Sequence, residues 1–510
     1  MRDEGLGSWP RRRARIAARD VALIHEGQTT TYGELERRVA RLGDALRSLG
    51  VGAGDRVAYL GPNHPAFAET MFAVAALGAI FVPLNTRLAA PELSFVVRDA
   101  GVDVLVWDHR LERTASEVVA ATSPSHGIVV GADVAEGAAD HAYEDVLASG
   151  GDGHLDTPVS LEDDAMIMYT SGTTGHPKGV VITHANVTWN CFNVLIDVDV
   201  SQDEVTLVSA PMFHTAALNQ TFLPTFIKGG TSVLVSAFDP QETLELIAEH
   251  RVTWMFGVPA MFKALTQAPG WGEADLSSVR AVEAGGAPVP EELIRTYQER
   301  GLTFMQGYGM TEASPGVLFL RAKDSLTKVG SAGTPCFFTD VRVTDEDDRD
   351  VPVGEPGEIR VRGPNVMRGY WNAEEATREV LSEDGWFRSG DVAVSDEDGC
   401  LTIVDRLKDM FISGGENVYP AEVENALHEH PAVADCAVIG VPDDRWGEVG
   451  QAFVVLREGH ELTEEEMERF LDARLARYKI PRSLVVVDAL PRTASGKLLK
   501  KELSPVGREE

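Results

Sequence analysis

The chain has 510 residues, and 44% of them are hydrophobic. A chain of this length is too long for one ordinary hydrophobic core, so two or more domains are expected. Its formal net charge of −33 repels nucleic acid, and it also repels ATP or coenzyme A, so an anion site must be built locally from amides, Mg2+ and a few cations. The four cysteines are dispersed without CxxC spacing, which argues against disulfides and a zinc site. The sequence has no apolar run long enough for a transmembrane segment and no secretory signal. We therefore expect a cytoplasmic protein.

Helix and strand patterns alternate through the N-terminal part of the chain. Thr31 and Glu34 form a capping box before an apolar helical face, and Gly50 ends that helix. The strand "RVAYL", the helix "HPAFAETMFAVAALG" and the strand "IFVPL" follow, and the same order recurs between Thr231 and the strand at Val252. This alternation is typical of α/β proteins with parallel sheets.

The pattern changes near Val329 to short alternating runs separated by Gly, Pro and Asp, which predict a small antiparallel β unit. A helix with proline at its start follows Tyr419, then two strands, then a capped helix from Thr463. We therefore predict an α/β protein. Its large N-terminal domain (1–405) has mostly parallel sheets flanked by helices plus a small β unit, and its small C-terminal domain (406–510) is α+β.

The stretch "MYTSGTTGHPKG" from Met168 places hydroxyls and glycines beside one cation. Hydroxyls and backbone amides donate hydrogen bonds, and glycine lets a ligand's oxygens approach the main chain, so the segment suits a polyphosphate. It is not a Walker A loop, because Pro177 replaces the second glycine and Gly179 follows Lys178. Taken alone, it also fits a glycine-rich loop between a strand and the next element.

Five segments occur in the order and spacing of one known family. They are "YTSGTTGHPKG" at Tyr169, "GYGMTE" at Gly307, "RSGD" at Arg388, "DRLKDMFISGGENVYPAEVE" at Asp405 and "PRTASGKLLK" at Pro491. Together they resemble the adenylate-forming superfamily over nearly the whole chain, and most of all its bacterial fatty-acyl-CoA synthetases and 4-coumarate-CoA ligase-like enzymes. The resemblance implies that a carboxylate attacks the α-phosphorus of ATP, pyrophosphate leaves, and a thiol then displaces AMP.

The resemblance also implies roles in adenylate formation. Lys178 and the loop hydroxyls would surround the β- and γ-phosphates, Thr311 would contact the α-phosphate, and Glu312 would hold Mg2+. Asp391, which alone would pass for a turn residue, would accept the ribose hydroxyls, and Lys497 would bridge the substrate carboxylate and the α-phosphate. The implied ATP and AMP site comprises Thr170, Ser171, Gly172, Thr173, Thr174, Gly175, Lys178, Gly285, Gly286, Ala287, Gly307, Tyr308, Gly309, Thr311, Asp391, Arg406 and Lys497, with Lys178, Thr311, Glu312 and Lys497 as catalytic residues.

Further implied roles concern the adenine, the acid and coenzyme A. Tyr308 would lie against adenine, and His214, otherwise an ordinary core histidine, would gate the acyl pocket. The C-terminal domain would be mobile, rotating about a hinge at Lys408. The implied acyl pocket comprises His214, Ala217, Leu218, Ala284 and Ala313, and the implied CoA tunnel comprises Ser413, Gly414, Gly415 and Glu416.

The sequence therefore predicts an acid–thiol ligase that forms AMP, uses Mg2+, and takes ATP, CoA and a carboxylic acid as substrates. A fatty acid is the first expectation, because most of the matching segments look more like those of bacterial fatty-acyl-CoA synthetases. The implied pocket residues are mostly small, which leaves room for a chain or a ring. The alternatives are an aromatic acid–CoA ligase and an adenylating enzyme that passes the acyl group to a non-CoA acceptor. A non-catalytic nucleotide-binding regulator is a third hypothesis, which the intact set of implied catalytic residues disfavours. The sequence does not indicate an oligomeric state.

Overall fold

The computed structural model describes residues 3–132, 138–153, 155–170, 177–286, 289–406, 409–413, 416–443, 446–472, 474–475, 477–492 and 498–504, with backbone alone at positions 406, 412, 416 and 417. Its helices are α1 (Trp9–Ala17), α2 (Tyr32–Ser48), α3 (Pro65–Ala76), α4 (Ala90–Ala100), α5 (Glu112–Thr122), α6 (Tyr143–Ser149), α7 (His184–Asp197), α8 (Leu223–Lys228), α9 (Pro240–His250), α10 (Pro259–Gln267), α11 (Glu291–Glu299), α12 (Glu374–Val380), α13 (Pro420–His428) and α14 (Glu464–Asp472). A π-helical segment, Ala216–Phe222, precedes α8.

The strands are β1 (Val21–His25), β2 (Gln28–Thr31), β3 (Arg56–Leu60), β4 (Ile80–Leu84), β5 (Val104–Asp108), β6 (His126–Val130), β7 (His141–Ala142), β8 (Asp164–Thr170), β9 (Lys178–Thr183), β10 (Val205–Val208), β11 (Thr231–Leu234), β12 (Trp254–Gly257), β13 (Ala281–Ala284), β14 (Thr303–Gly309), β15 (Gly316–Phe319), β16 (Thr334–Pro335), β17 (Asp340–Thr344), β18 (Pro356–Arg362), β19 (Gly369–Tyr370), β20 (Phe387–Ser395), β21 (Leu401–Arg406), β22 (Phe411–Ser413), β23 (Glu416–Val418), β24 (Val433–Asp443), β25 (Gly447–Leu456) and β26 (Ser483–Val486).

Two large sheets form the N-terminal part of the molecule. In the first, the order is β16-β15-β14-β13-β12-β10-β11-β1-β2, and the strands from β14 to β1 are parallel. In the second, the order is β19-β9-β8-β4-β3-β5-β6-β7, and the strands from β8 to β7 are parallel. Antiparallel strands close the edges at β2, β15, β16, β9 and β19. The predicted parallel sheets are confirmed.

The helices bury the faces of both sheets. Helices α4 and α5 cover one face of the second sheet, and α9 to α11 cover one face of the first. Helix α3 lies in the largest core, and every residue from Ala66 to Ala76 is buried, as expected for a helix that is apolar on all sides. Helix α2 begins with both arms of the predicted Thr31–Glu34 capping box and ends at Ser48, before Gly50 at φ +96°.

Two smaller sheets follow. Strands β17-β18-β20-β21 form an antiparallel sheet, which is the predicted β unit. The C-terminal sheet has the order β23-β22-β25-β24, with β26 parallel to β25, and packs with α13 and α14 around its own core. These elements confirm the predicted fold class, although the helix predicted from Thr463 ends at Asp472, before Leu475. The division at 405/406, which falls at the end of β21, stays a prediction.

Candidate active site

The segment that was expected to hold phosphate joins two antiparallel strands. Strands β8 and β9 pair so that Thr170 is the partner of Lys178 at the end of the hairpin where the connecting loop begins and ends. The connection carries Ser171, Gly172, Thr173, Thr174 and Gly175 and lies outside the described residues. Thr170 and Lys178 are therefore held side by side where the predicted phosphate loop leaves and rejoins the sheet.

Tyr370 links Lys178 to Glu312. Its strand, β19, pairs with β9 through Tyr370 and Val180, which brings the tyrosine ring to 5.0 Å from Lys178 Nζ. The hydroxyl of Tyr370 donates to Glu312 Oε1 at 3.0 Å. Burial and the nearby Glu312 carboxylate raise the pKa of Tyr370 well above its usual value, so the hydroxyl keeps its proton. Lys178, which is predicted to bind phosphate, and Glu312, which is predicted to bind the metal, therefore both contact the side chain of Tyr370.

A second cluster brings together the residues expected to bind the nucleoside. Tyr308, near the end of β14, donates its hydroxyl hydrogen to Asp391 Oδ2 at 2.7 Å. Asp391 is buried on β20, and its backbone partner on β21 is Arg406. Strand β14 leads directly into the short helical turn Thr311–Ala313. One strand end therefore carries both the predicted adenine contact and the predicted metal and α-phosphate residues.

Glycines allow the backbone to pack closely around this strand end. A Cβ on Gly309 would lie 1.8 Å from the Pro315 carbonyl oxygen, and one on Gly285 would lie 2.9 Å from the Gly307 oxygen. Gly286 has φ +80°, which favours glycine. Close packing therefore requires glycine at Gly285 and Gly309, and the backbone conformation favours it at Gly286. The predicted roles of these glycines and of Gly307 in nucleotide binding stay predictions, and Ala287 lies outside the described residues.

The predicted acyl-pocket residues do not share one surface. Ala217, Leu218 and Ala313 are almost fully buried in the core between the two large sheets. Ala284 packs instead in the core beneath α9 to α11. His214 is half-buried, and burial, assisted by Arg87, lowers its pKa to about 4, so its imidazole is neutral at physiological pH.

The C-terminal residues are described in part. Ser413 is buried on β22, and its backbone partner on β23 is Glu416. Gly414, Gly415, the predicted hinge Lys408 and Lys497 lie outside the described residues. Their predicted roles, like the side-chain roles of Arg406 and Glu416, stay predictions.

The sequence reasoning missed Tyr370, and it gave Glu283 no role of its own, although the resemblance places residues 282–286 at the acyl pocket. Tyr370 stands in "RGYWN", which carries no local sign of a contact with Lys178. Glu283 interrupts the buried strand run "RAVEAGG", and it is 1% exposed. A carboxylate inside a buried parallel strand is unusual enough to have been a signal.

The described residues contain no cluster of three or more metal-ligating side chains. Mg2+ does not require one, because it is commonly held by one or two carboxylates together with substrate phosphates. Glu312 fits this kind of site. Its side chain accepts a hydrogen bond from Tyr370, and its backbone carbonyl accepts one from the Met367 N–H at 2.8 Å, which together hold the residue in place.

Comparison with known proteins adds three relatives. The family model for the AMP-binding enzyme matches residues 10–371, and that for the AMP-binding enzyme C-terminal domain matches residues 422–497. Feruloyl-CoA synthase of Amycolatopsis sp. is 54% identical over 503 residues, 99% of each chain. Long-chain-fatty-acid–CoA ligase FadD13 of Mycobacterium tuberculosis is 39% identical over 509 residues, 98% of each chain. The structure of o-succinylbenzoate coenzyme A synthetase from Bacillus subtilis, in complex with ATP and magnesium ion, is 33% identical, with a TM-score of 0.85 over 97% of this chain and 99% of that one.

These relatives all carry the names of acid–CoA ligases or synthetases, as the sequence predicted. The preference for a fatty acid is not confirmed, because the feruloyl-CoA relative is more similar than the fatty-acid relative, so the aromatic alternative fits better. Among the helices of the described residues, none combines the length and the apolar character that a membrane span needs.

Proposed function

We propose that this chain, which belongs to the AMP-binding enzyme family and is an acyl-CoA synthetase of the adenylate-forming superfamily, activates an aromatic carboxylic acid. The observation that carries this proposal is the 54% identity to feruloyl-CoA synthase over 99% of both chains. Feruloyl is an aromatic propenoyl group that bears a hydroxyl and a methoxy substituent. We place the acid in that chemical class.

The first half-reaction is assigned to the N-terminal part of the chain, residues 1–405. The carboxylate oxygen attacks the α-phosphorus, the bond to the bridging oxygen breaks, and pyrophosphate leaves with that electron pair. Lys178 and the loop hydroxyls hold the β- and γ-phosphates, and Thr311 holds the α-phosphate. Mg2+, when bound at Glu312, supplies charge neutralisation that this acidic protein lacks. Lys497 draws the two anionic reactants together.

The nucleoside is held by the second cluster. Tyr308 lies against adenine, with Gly285, Gly286 and Ala287 at the other face. Asp391 accepts hydrogen bonds from the ribose hydroxyls, and its present contact with Tyr308 Oη, 2.7 Å long, keeps the carboxylate oriented.

The second half-reaction requires the C-terminal part, residues 406–510, to move about Lys408. The motion withdraws Lys497 and brings the Ser413–Glu416 hairpin to the thiol path. The CoA thiol loses its proton to solvent and its sulfur attacks the acyl carbon of the adenylate. The bond from that carbon to the phosphate oxygen breaks, and AMP leaves with the electron pair.

The test is a substrate panel. Pyrophosphate and AMP release are measured with ATP, Mg2+ and CoA for cinnamate, 4-hydroxycinnamate, 4-hydroxy-3-methoxycinnamate, benzoate and fatty acids from short to long chains. One aromatic acid should exceed every fatty acid by about a hundredfold or more in kcat/KM. A steady rise of roughly fourfold for each added CH2, as about 0.8 kcal/mol per buried CH2 predicts, with no aromatic turnover would overturn the proposal in favour of a fatty acid. Product formation without CoA would favour another acceptor.

A further inference from the structure

A buried carboxyl group lies beside the predicted acyl pocket. Glu283 is on β13, and a Cβ built on Gly307 of the neighbouring β14 would come within 2.7 Å of Glu283 Oε1. The carboxyl group therefore lies against the bare backbone of Gly307. It takes part in no ion pair recorded within the described part of the chain, so its role is not that of a structural salt bridge.

The π-helical segment Ala216–Phe222 supplies further polar groups. Gln220 Nε2 donates to Glu283 Oε1 at 3.0 Å and to Oε2 at 3.3 Å. Gln220 Oε1, Asn219 Oδ1 and Asn219 Nδ2 are buried without a hydrogen-bond partner among the described residues. Buried polar atoms are nearly always paired, so three unpaired atoms on adjacent residues point to a ligand with its own donors and acceptors.

These groups adjoin residues of the predicted acyl pocket. Asn219 and Gln220 follow Ala217 and Leu218 in the same π-helical segment, and His214 lies two residues before that segment begins. Single π-helical turns occur frequently at functional sites. Strand alternation directs Glu283 to the sheet face that this segment covers, whereas Ala284 packs on the opposite face.

We propose that Glu283, supported by Gln220, binds a hydroxyl group on the ring of the aromatic acid, at the end away from its carboxylate. This inference rests on the proposed function and assigns the residues that select an acid with a ring hydroxyl. The Glu283 carboxyl accepts the phenolic hydrogen bond. Asn219 supplies a donor and an acceptor for a neighbouring oxygen substituent. An alkyl chain would satisfy none of these groups.

The protonation state agrees with this role. Burial raises the pKa of Glu283 to about 8, while the hydrogen bond from Gln220 opposes the rise. At neutral pH the carboxyl group is mostly neutral and offers a carbonyl acceptor and a hydroxyl donor together. Such a group pairs with a phenol without a buried charge.

The experiment compares two acids that differ by one hydroxyl. For the wild-type enzyme, kcat/KM is measured with 4-hydroxycinnamate and with cinnamate at saturating ATP, Mg2+ and CoA, and the ratio should exceed about a hundred, because a site built to bond a hydroxyl rejects the analogue that lacks it. Glu283→Leu should reduce the ratio to within about fivefold and raise kcat/KM for cinnamate, with KM for ATP unchanged. Gln220→Leu should lower the same ratio, and it remains informative if Glu283→Leu does not fold.

Glu204→Gln is the matched control, because Glu204 is also buried but pairs with Arg280 at 2.9 Å. It should leave the ratio unchanged. A folded Glu283→Leu enzyme that keeps the wild-type ratio overturns the inference. Equal turnover of both acids by the wild type also overturns it while the proposed function stands, whereas turnover of fatty acids alone overturns the proposed function itself.

Discussion

Replacing Tyr370 with phenylalanine tests the arrangement around Lys178 and Glu312. The substitution keeps the ring that lies 5.0 Å from Lys178 Nζ and removes only the hydroxyl that donates to Glu312 Oε1 at 3.0 Å. A net hydrogen bond to a charged group contributes about 1.5–3 kcal/mol, and because Tyr370 is only partly buried, this hydrogen bond is placed at the lower end. We expect kcat/KM for MgATP to fall roughly tenfold, since about 1.4 kcal/mol is a factor of ten.

A second substitution separates the two contacts. Tyr370→Leu also removes the ring, and with it a cation–π contact of about 0.5–1 kcal/mol, so kcat/KM should fall a further two- to fivefold or so. The assay is pyrophosphate release at varied MgATP and varied free Mg2+, followed by thioester formation from supplied acyl-AMP. Only the first activity should change, and the Mg2+ requirement should rise, because Glu312 loses the group that orients it.

Tyr143→Phe is the control, because Tyr143 donates to Glu69 Oε2 at 2.8 Å in a buried structural cluster. It removes the same kind of hydrogen bond and should lower the Tm while KM for MgATP stays at the wild-type value. If Tyr370→Phe retains kcat/KM for MgATP within twofold and shows no change in Mg2+ dependence, the role given to Tyr370 is refuted.

Three further predictions follow from the assigned roles. Lys497→Ala should abolish adenylate formation and spare thioester formation from supplied acyl-AMP, and equal loss of both in a folded enzyme would contradict the bridging role. Lys408→Pro should release pyrophosphate once per enzyme without steady acyl-CoA formation, because proline fixes the dihedral angle that the hinge must change; normal turnover would exclude this hinge. Glu283→Gln should raise the Tm relative to the wild type increasingly as pH goes from 5 to 8. The folded-state pKa near 8 lies above the unfolded value of 4.5, so ionisation costs the wild type up to a few kcal/mol over that interval, and a constant difference in Tm would contradict the shift.

Local signals in the sequence predicted most of the fold. The Thr31–Glu34 capping box is a contact between neighbours in the chain, and both its arms form. The parallel sheets follow from strands that alternate with helices, because such connections return the chain in the same direction. The order of the motifs predicted functional roles for Lys178 and Tyr308, and the structure places these residues on strands of two different sheets, with Lys178 at the start of β9 and Tyr308 near the end of β14.

The contacts of Tyr370 could not be predicted in this way. Strand β19 has two residues, and its pairing with β9 joins positions that are far apart in the sequence. No periodicity marks a strand that short. The contact between Lys178 and the tyrosine ring exists only because the edge of the second large sheet is completed by a distant segment.

The expectation of a fatty acid is not confirmed by the comparisons, and the proposed role of Glu283 gives a physical reason for an aromatic acid instead. The expectation rested on segments that resemble bacterial fatty-acyl-CoA synthetases and on a predicted pocket of small residues, among them Ala284. Successive side chains of a strand face opposite sides, so Ala284 packs in the core beneath α9 to α11 and Glu283 meets Gln220 on the other face. On the assignment proposed above, the group that faces the acyl side is a carboxyl group rather than a methyl group. Because unpaired buried polar groups penalise a ligand that leaves them unbonded, that assignment favours a phenol over an alkyl chain.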